Sequence, residues 1–95
     1  MSVFVISDVE TRDPGAMARY RVLAAESIAG HGGRYVVRGG RVETLEGGWT
    51  PHAIVVIEFD TADQARAWYA SPEYAEALAL SATALARRLI LVEGV

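Results

Sequence analysis

Cysteine and lysine are both absent from the 95 residues, and histidine occurs twice. Without cysteine the chain has no disulfide framework, no thiolate metal site and no cysteine nucleophile. Without lysine it has neither a Schiff-base lysine nor the lysine of a phosphate-binding P-loop. His31 and His52 lie far apart and outside any H-x-x-E-H arrangement, so a histidine metal centre is not expected. The sequence therefore predicts no metal and no cofactor.

The chain also lacks a basic surplus and long hydrophobic runs. Its formal net charge is −3 and its pI is about 5.3, whereas nucleic-acid binding needs a basic stripe that neutralises phosphates. No run approaches the ~20 apolar residues of a membrane span, and the opening MSVFVISDVE does not have the pattern of a signal peptide. We therefore predict a cytoplasmic protein that binds neither nucleic acid nor membranes.

Apolar residues, by contrast, are abundant and make up 52% of the chain. The length of 95 residues predicts a single domain over residues 1–95. Alternating apolar residues predict strands at Ser2–Val9, Arg34–Arg38, Ala53–Asp60 and Arg87–Glu93. A further short, exposed strand is predicted over residues 41–46.

Helix-capping signals stand between these strands. Asp13 followed by proline begins a helix that should extend to about Ala29, with Gly30 as a left-handed cap. Its predicted buried stripe consists of Met17, Tyr20, Ala24 and Ile28. Thr61-Ala-Asp-Gln fits a capping box for a second helix, which Ser71-Pro-Glu restarts and which should end near residue 85.

The resulting order β-α-β-β-α-β predicts an α+β, ferredoxin-like domain with a four-stranded antiparallel or mixed sheet. We expect the first and third strands to be parallel neighbours. Two helical segments cover one face of such a sheet, yet the first, third and fourth strands are apolar on both faces. The economical cover for the second face is another copy of the same sheet, which predicts a homodimer.

Several short motifs make the chain resemble a known family. They are HGGRYVVRGG at residues 31–40, VVIEF at 55–59, WYASPEY at 68–74 and LVEG at 91–94, together with the Asp13-Pro14 helix start. In this combination the chain resembles domain-of-unknown-function family 1330, in the dimeric α+β barrel superfamily. At the position after the SPEY helix where family members often carry arginine, this chain has Ser81.

The resemblance implies a homodimer in which two sheets form a barrel with the helices outside. It implies no reaction, because the family is essentially uncharacterised. Relatives in the wider superfamily include cofactor-independent monooxygenases, lactone isomerases and haem enzymes, which often use a cleft between sheet and helices. Transfer of activity at that distance is analogy.

The candidate catalytic residues are Asp8, Glu58 and His31. With parallel first and third strands, Asp8 and Glu58 would meet at one end of the sheet near Arg34. A carboxylate at the rim of an apolar cleft can act as a base, and Arg34 can hold an anionic substrate. His31 is a candidate proton shuttle. The alternative is that the charged residues form a structural ion pair and that His31 hydrogen-bonds to its turn.

Candidate ligand-binding residues are one further arginine and several aromatic residues. Arg38 is placed on the same strand face as Arg34 and can join an anion site or pair with a nearby glutamate. Aromatic residues on helix faces commonly belong to the core, although a tyrosine hydroxyl in a cleft would orient a ligand. The aromatic candidates are Tyr20, Tyr69, Tyr74 and Trp49, the last on a glycine-rich loop at the dimer edge or the cleft mouth.

These residues support two functional hypotheses. In the first, a homodimer binds a small anionic or aromatic metabolite between sheet and helices and catalyses a cofactor-free proton transfer or oxygenation. In the second, the chain is a non-catalytic binding or assembly module in which the same residues are structural. A metal or haem protein is disfavoured, since the sequence offers it little beyond two histidines.

Overall fold

The computed structural model describes residues 2–95. This part of the chain forms four strands and three helices in the order β-α-β-β-α-α-β, the second helical region being divided in two. The elements are β1 (Val3–Thr11), α1 (Pro14–Gly30), β2 (Arg34–Arg38), β3 (Ile54–Phe59), α2 (Ala62–Tyr69), α3 (Pro72–Ala84) and β4 (Leu85–Glu93).

Each helix begins at the cap that its sequence predicts. The Asp13 side chain accepts hydrogen bonds from two backbone N–H groups in the first turn of α1. Thr61 and Gln64 form a reciprocal capping box at α2, and Ser71 Oγ accepts a hydrogen bond from the Tyr74 N–H at α3. These bonds satisfy N–H groups that have no partner within their helix.

The C-terminus of α1 differs from its prediction. Gly30 is the last helical residue and is not left-handed; the left-handed residue is Gly32, with φ of 79°. The N–H groups of His31 and Gly33 both donate to the carbonyl of Ile28. The chain therefore reverses within the His31–Gly33 turn and enters β2 directly.

The sheet has the strand order β2-β3-β1-β4, and every neighbouring pair is antiparallel. This confirms the ferredoxin-like fold but contradicts the parallel pairing expected for the first and third strands. Asp8 lies opposite Ile54, whereas Glu58 lies opposite Phe4. The carboxylates of Asp8 and Glu58 are consequently near opposite ends of the sheet.

A β-bulge changes the orientation of side chains along β2. The register with β3 shifts between Tyr35 and Val37, so that Arg34 is paired with Glu58 but Arg38 with Val55. A bulge adds one residue to one strand and reverses the alternation beyond it. Arg38 thus lies on the helix-covered face, and the prediction that it shares the face of Arg34 is wrong.

The two faces of the sheet have different surroundings. The helix face packs against the helices and contains the core, whose largest fully buried side chains are Phe59, Trp68 and Tyr74. Among residues 2–95 no helix covers the other face, which we call the open face. Its apolar side chains, assigned from strand alternation, are Phe4, Ile6, Ile54, Val56, Ile90 and Val92.

Residues 39–53 join β2 to β3 without forming the short strand predicted over 41–46. The loop is attached at both ends, because the Gly39 N–H donates to the Ile54 carbonyl at 2.9 Å and the Val9 N–H donates to the Ala53 carbonyl at 2.8 Å. Between these anchors Leu45 and Trp49 are exposed. Throughout the described residues, the helices fall short of the length and apolarity needed to cross a membrane.

Candidate ligand-binding site

A cavity of about 310 Å³ lies between α1 and the helix face of the sheet. Helix α1 packs chiefly against α3, which leaves space between its inner side and the strands. The apolar part of the lining comes from α1, α2, β1, β3, β4 and the last residue of the loop before β3, and comprises Val9, Met17, Ala24, Ile28, Ala53, Val55, Ile57, Trp68 and Leu89.

Arg87 supplies a guanidinium group to this cavity from the start of β4. Its Nη2 donates a hydrogen bond to the Tyr74 hydroxyl at 2.7 Å, and its Nη1 donates to the Tyr20 hydroxyl. The hydroxyl oxygens of Tyr20 and Tyr74 are themselves 2.8 Å apart and share a hydrogen bond. Two tyrosines from two helices therefore hold one arginine at the wall of the cavity.

Arg87 is partly buried, yet it forms no ion pair with any carboxylate in the described part of the chain. Burial disfavours the charged guanidinium, but the oxygens of Tyr20 and Tyr74 outweigh burial and raise the pKa of Arg87. Burial, together with the neighbouring Tyr20, raises the pKa of Tyr74 well above its ordinary value. At neutral pH the cluster is thus one cation held by neutral phenols.

A second arginine, Arg38, reaches the same cavity from β2. Its guanidinium carbon lies 4.3 Å from the centre of the Tyr35 ring, a cation–π contact. Burial raises the pKa of Tyr35, although Arg38 acts in the opposite direction. Arg21 of α1 also lines the cavity. All charged residues in the lining are therefore cationic.

The predicted pair of Glu58 and Arg34 does form, but on the open face. Arg34 Nε lies 3.1 Å from a Glu58 carboxylate oxygen, and its Nη2 lies 3.4 Å from Asp60. A hydrogen bond from Ser2 lowers the pKa of Glu58, burial opposes it, and Arg34 lowers it further. Arg34 thus already has two carboxylate partners, and the pair lies away from the cavity.

Asp8 belongs to a different cluster, contrary to the predicted convergence. Its carboxylate accepts a hydrogen bond from the His52 backbone N–H at 2.9 Å, while His52 Nε2 lies 2.8 Å from Glu10. Trp49 lines the shallow depression around this cluster. The prediction that Asp8 converges with Glu58 and Arg34 is therefore wrong, because β1 and β3 are antiparallel.

His31 and Tyr69 also lie outside the cavity lining. The His31 ring is hydrogen-bonded through Nδ1 to the Ser27 carbonyl at 2.9 Å, which ties it to the end of α1. Tyr69, one of the aromatic candidates, is 44% exposed, since it follows the buried Trp68 by one position on α2. The catalytic roles assigned to Asp8, His31 and Glu58 stay predictions, without a shared site.

Of the predicted ligand-binding residues, the structure brings Tyr20, Tyr74 and Arg38 to the cavity or its wall. The sequence reasoning missed Arg87 and Tyr35. A signal for Arg87 was present, because alternation along β4 places it on the same face as Leu89, and a charged residue among inward-facing positions needs an explanation. No group of three or more metal-ligating side chains occurs among residues 2–95.

Several solved structures share this fold at low sequence identity. A protein of unknown function from Rhodopseudomonas palustris is 20% identical with a TM-score of 0.80, covering 99% of this chain and 82% of its own. A dimeric ferredoxin-like protein of unknown function from Thermobifida fusca is 23% identical with a TM-score of 0.67, covering 99% and 92%. A cofactor-independent oxygenase from Streptomyces nogalater is 14% identical with a TM-score of 0.68, covering 99% and 93%.

The search of curated proteins gives no match to this chain. One family model, described as Domain of unknown function (DUF1330), matches residues 2–95. That match spans both the sheet and the helices that enclose the cavity. The chain therefore belongs to the DUF1330 family.

Proposed function

We propose that the protein binds a small, largely apolar organic anion in the cavity between α1 and the sheet. The observation that carries this proposal is Arg87, a partly buried cation with two phenol partners and no carboxylate. Buried charges in proteins are normally paired. An anionic ligand would supply the missing charge.

The size and lining of the cavity support the same proposal. Ligand pockets commonly measure ~300–1,000 Å³ and combine apolar walls with a few placed polar groups. A cavity of about 310 Å³ suits a molecule of one or two rings. Its apolar walls would contact the rings, while Arg87 and Arg38 attract the anionic group.

The test compares 4-nitrobenzoate and 4-nitrophenolate with neutral nitrobenzene, by calorimetry and by NMR shifts of cavity residues at mildly alkaline pH. We expect at least one anion to bind more tightly than nitrobenzene. Arg87→Gln should weaken binding of that anion about 10- to 100-fold, because it removes a positive charge at the cavity wall, and each factor of ten corresponds to about 1.4 kcal/mol.

Two variants serve as matched comparisons. Arg19→Gln removes one positive charge from the exposed side of α1, where Arg19 pairs with Glu76, and should leave anion binding unchanged. Arg34→Gln tests the arginine that the sequence favoured. The proposal fails if neither anion binds better than nitrobenzene, or if Arg34→Gln weakens binding more than Arg87→Gln does.

A second candidate function is cofactor-independent oxygenation of an electron-rich hydroxyaromatic compound bound in this cavity. It is supported by the oxygenase from Streptomyces nogalater, which has the same fold, and by a cationic cluster suited to an aromatic oxyanion. Oxygen uptake with hydroxynaphthalenes that depends on Arg87 would support it. Binding of these compounds without any oxygen uptake would instead support the hypothesis of a non-catalytic binding module.

We also propose that the open face is covered by a second copy of the chain. The face carries apolar side chains on three neighbouring strands, with Ile90 55% exposed, and patches of this kind mark interaction surfaces. Similar proteins from Thermobifida fusca and Bacteroides fragilis are described as dimeric.

Light scattering at micromolar concentration tests this assembly. We expect a dimer for the unmodified protein and a folded monomer for Ile90→Asp, since a carboxylate would be buried without a partner. Val22→Asp is the matched control, because Val22 is 58% exposed on α1 and away from the open face. An unmodified protein that scatters as a monomer would refute the proposal.

A further inference from the structure

The two tyrosines occupy the end-on donors of Arg87, one of the places at which a carboxylate can bind a guanidinium. In an end-on bidentate pair, the two oxygens of a carboxylate each accept from a different terminal nitrogen of the guanidinium. Here Nη1 donates to Tyr20 and Nη2 to Tyr74, whose oxygens lie 2.8 Å apart. The end-on pair of donors on Arg87 is therefore already used by the protein.

Counting hydroxyl protons shows what remains for a ligand. Tyr20 and Tyr74 have two hydroxyl protons between them, and their mutual hydrogen bond uses one. Tyr74 is fully buried, whereas Tyr20 lines the cavity. If Tyr74 donates its hydroxyl proton to Tyr20, the Tyr20 hydroxyl proton can be donated to a ligand in the cavity. The opposite direction would leave the Tyr74 proton buried without an acceptor.

From this geometry we infer that the cavity selects an anion whose charge rests on a single oxygen, a phenolate or enolate, which accepts a hydrogen bond from the Tyr20 hydroxyl. The inference rests on the proposed function and narrows it to one ligand class. Arg87 donates a hydrogen bond to the Tyr20 oxygen and so polarises its O–H bond, which makes Tyr20 the contact residue and Arg87 the positioning residue. A carboxylate would have one oxygen left without this donor.

The charges around the cavity favour the ionised form of such a ligand. The titratable side chains in the lining are Tyr20, Arg21, Tyr35, Arg38 and Arg87, and the described lining contains neither a carboxylate nor a histidine. A phenol that binds there should lose its proton to the solvent more readily than in water. Preorganised donors aimed at an oxyanion act in this way in oxyanion holes.

The experiment uses 4-nitrophenol, whose anion has its own visible absorbance band, and 4-nitrobenzoate as the carboxylate of similar shape. We expect the pKa of bound 4-nitrophenol to fall by about one or more relative to the free phenol. We also expect 4-nitrophenolate to bind at least about tenfold more tightly than 4-nitrobenzoate. Both measurements use the unmodified protein and need no variant.

Two hydroxyl deletions then locate the donor. Tyr20→Phe should remove most of the pKa change of the bound phenol and reduce the preference for phenolate over benzoate. Tyr69→Phe also removes one tyrosine hydroxyl, but from a 44% exposed ring outside the cavity lining, and should retain both the pKa change and the preference for phenolate. Thermal melting of each variant verifies that it is folded.

The outcomes separate the two proposals. Tighter binding of 4-nitrobenzoate than of 4-nitrophenolate, with dependence on Arg87, would overturn the single-oxygen inference and leave the anion site in place. An unchanged phenol pKa on binding, or an unchanged preference in a folded Tyr20→Phe variant, would also overturn it. Failure of both anions to bind would refute the anion site itself.

Discussion

The two faces of the sheet each hold an arginine, and the two arginines have opposite kinds of partner. On the open face Arg34 contacts Glu58 and Asp60, which neutralise its charge. On the helix face Arg87 contacts Tyr20 and Tyr74, which accept hydrogen bonds but carry no charge.

This difference identifies which arginine has a positive charge that no carboxylate of the described chain neutralises. A guanidinium with two carboxylate partners needs no further anion, and exposed pairs of this kind contribute little to stability. A guanidinium with neutral partners at a cavity wall keeps its charge for an incoming molecule. Partner chemistry, more than the presence of arginine, therefore distinguishes the structural cluster around Arg34 from the candidate binding site around Arg87.

The largest expected effect concerns the packing of the helix face. A methyl group at Gly33 would lie 2.6 Å from a ring carbon of Phe59 and 2.8 Å from a side-chain carbon of Ile28. We expect Gly33→Ala to lower the free energy of unfolding by about 1–3 kcal/mol, the usual cost of overpacking, as measured by urea denaturation.

Gly40→Ala is the matched control, because nothing lies within 4 Å of the added methyl group and the φ of Gly40 is not positive. We expect its effect to be well under that of Gly33→Ala. Equal losses of unfolding free energy in the two variants would mean that the helix face around Phe59 is not tightly packed. The helix face and the open face would then not differ in packing.

The hydroxyl partners of Arg87 should make the stability of the protein depend on pH in alkaline solution. Because the folded-state pKa of Tyr74 is raised above 10.0, its contribution to stability is complete below that pH and is lost as the pH rises further. Melting temperatures should therefore fall above about pH 10, and less steeply for Tyr74→Phe. An identical slope in a folded Tyr74→Phe variant would contradict the neutral cluster.

The smallest effect should come from the charged partner of Arg34. The pKa of Glu58 is lowered from its ordinary 4.5, so its contribution is present above that value and is lost as the pH falls through the folded-state pKa. The difference in melting temperature between the unmodified protein and Glu58→Gln should shrink below about pH 4.5. A difference that grew toward acid pH would contradict this sign.

Much of the fold could be predicted from local signals. Asp13, Thr61 and Ser71 marked the starts of the helices, since caps depend on residues two or three positions apart. The direction of pairing between β1 and β3 could not be read in this way, because strand alternation is the same in parallel and antiparallel sheets. Because of this error the sequence placed Asp8 and Glu58 side by side, whereas antiparallel pairing separates them in the structure.

The candidate site was harder to predict because it depends on register and on contacts distant in sequence. A single bulge after Tyr35 moved Arg38 to the helix face, and nothing in RYVVR marks a bulge. Arg87 meets Tyr20 across 67 positions of sequence. Strand alternation along β4 indicates that Arg87 faces the helices. It does not identify the tyrosine partners of Arg87, and these partners determine its chemistry.

The loop over residues 39–53 has a consequence for how this protein can change. Both of its end residues, Gly39 and Ala53, line the cavity, and both are fixed by backbone hydrogen bonds to strands. The entropy of closing a loop rises slowly with its length. Insertions or replacements between those anchors would therefore alter the part of the cavity wall next to Gly39 and Ala53 at little cost in stability, which makes this segment the natural place for evolution or engineering to change the proposed ligand preference.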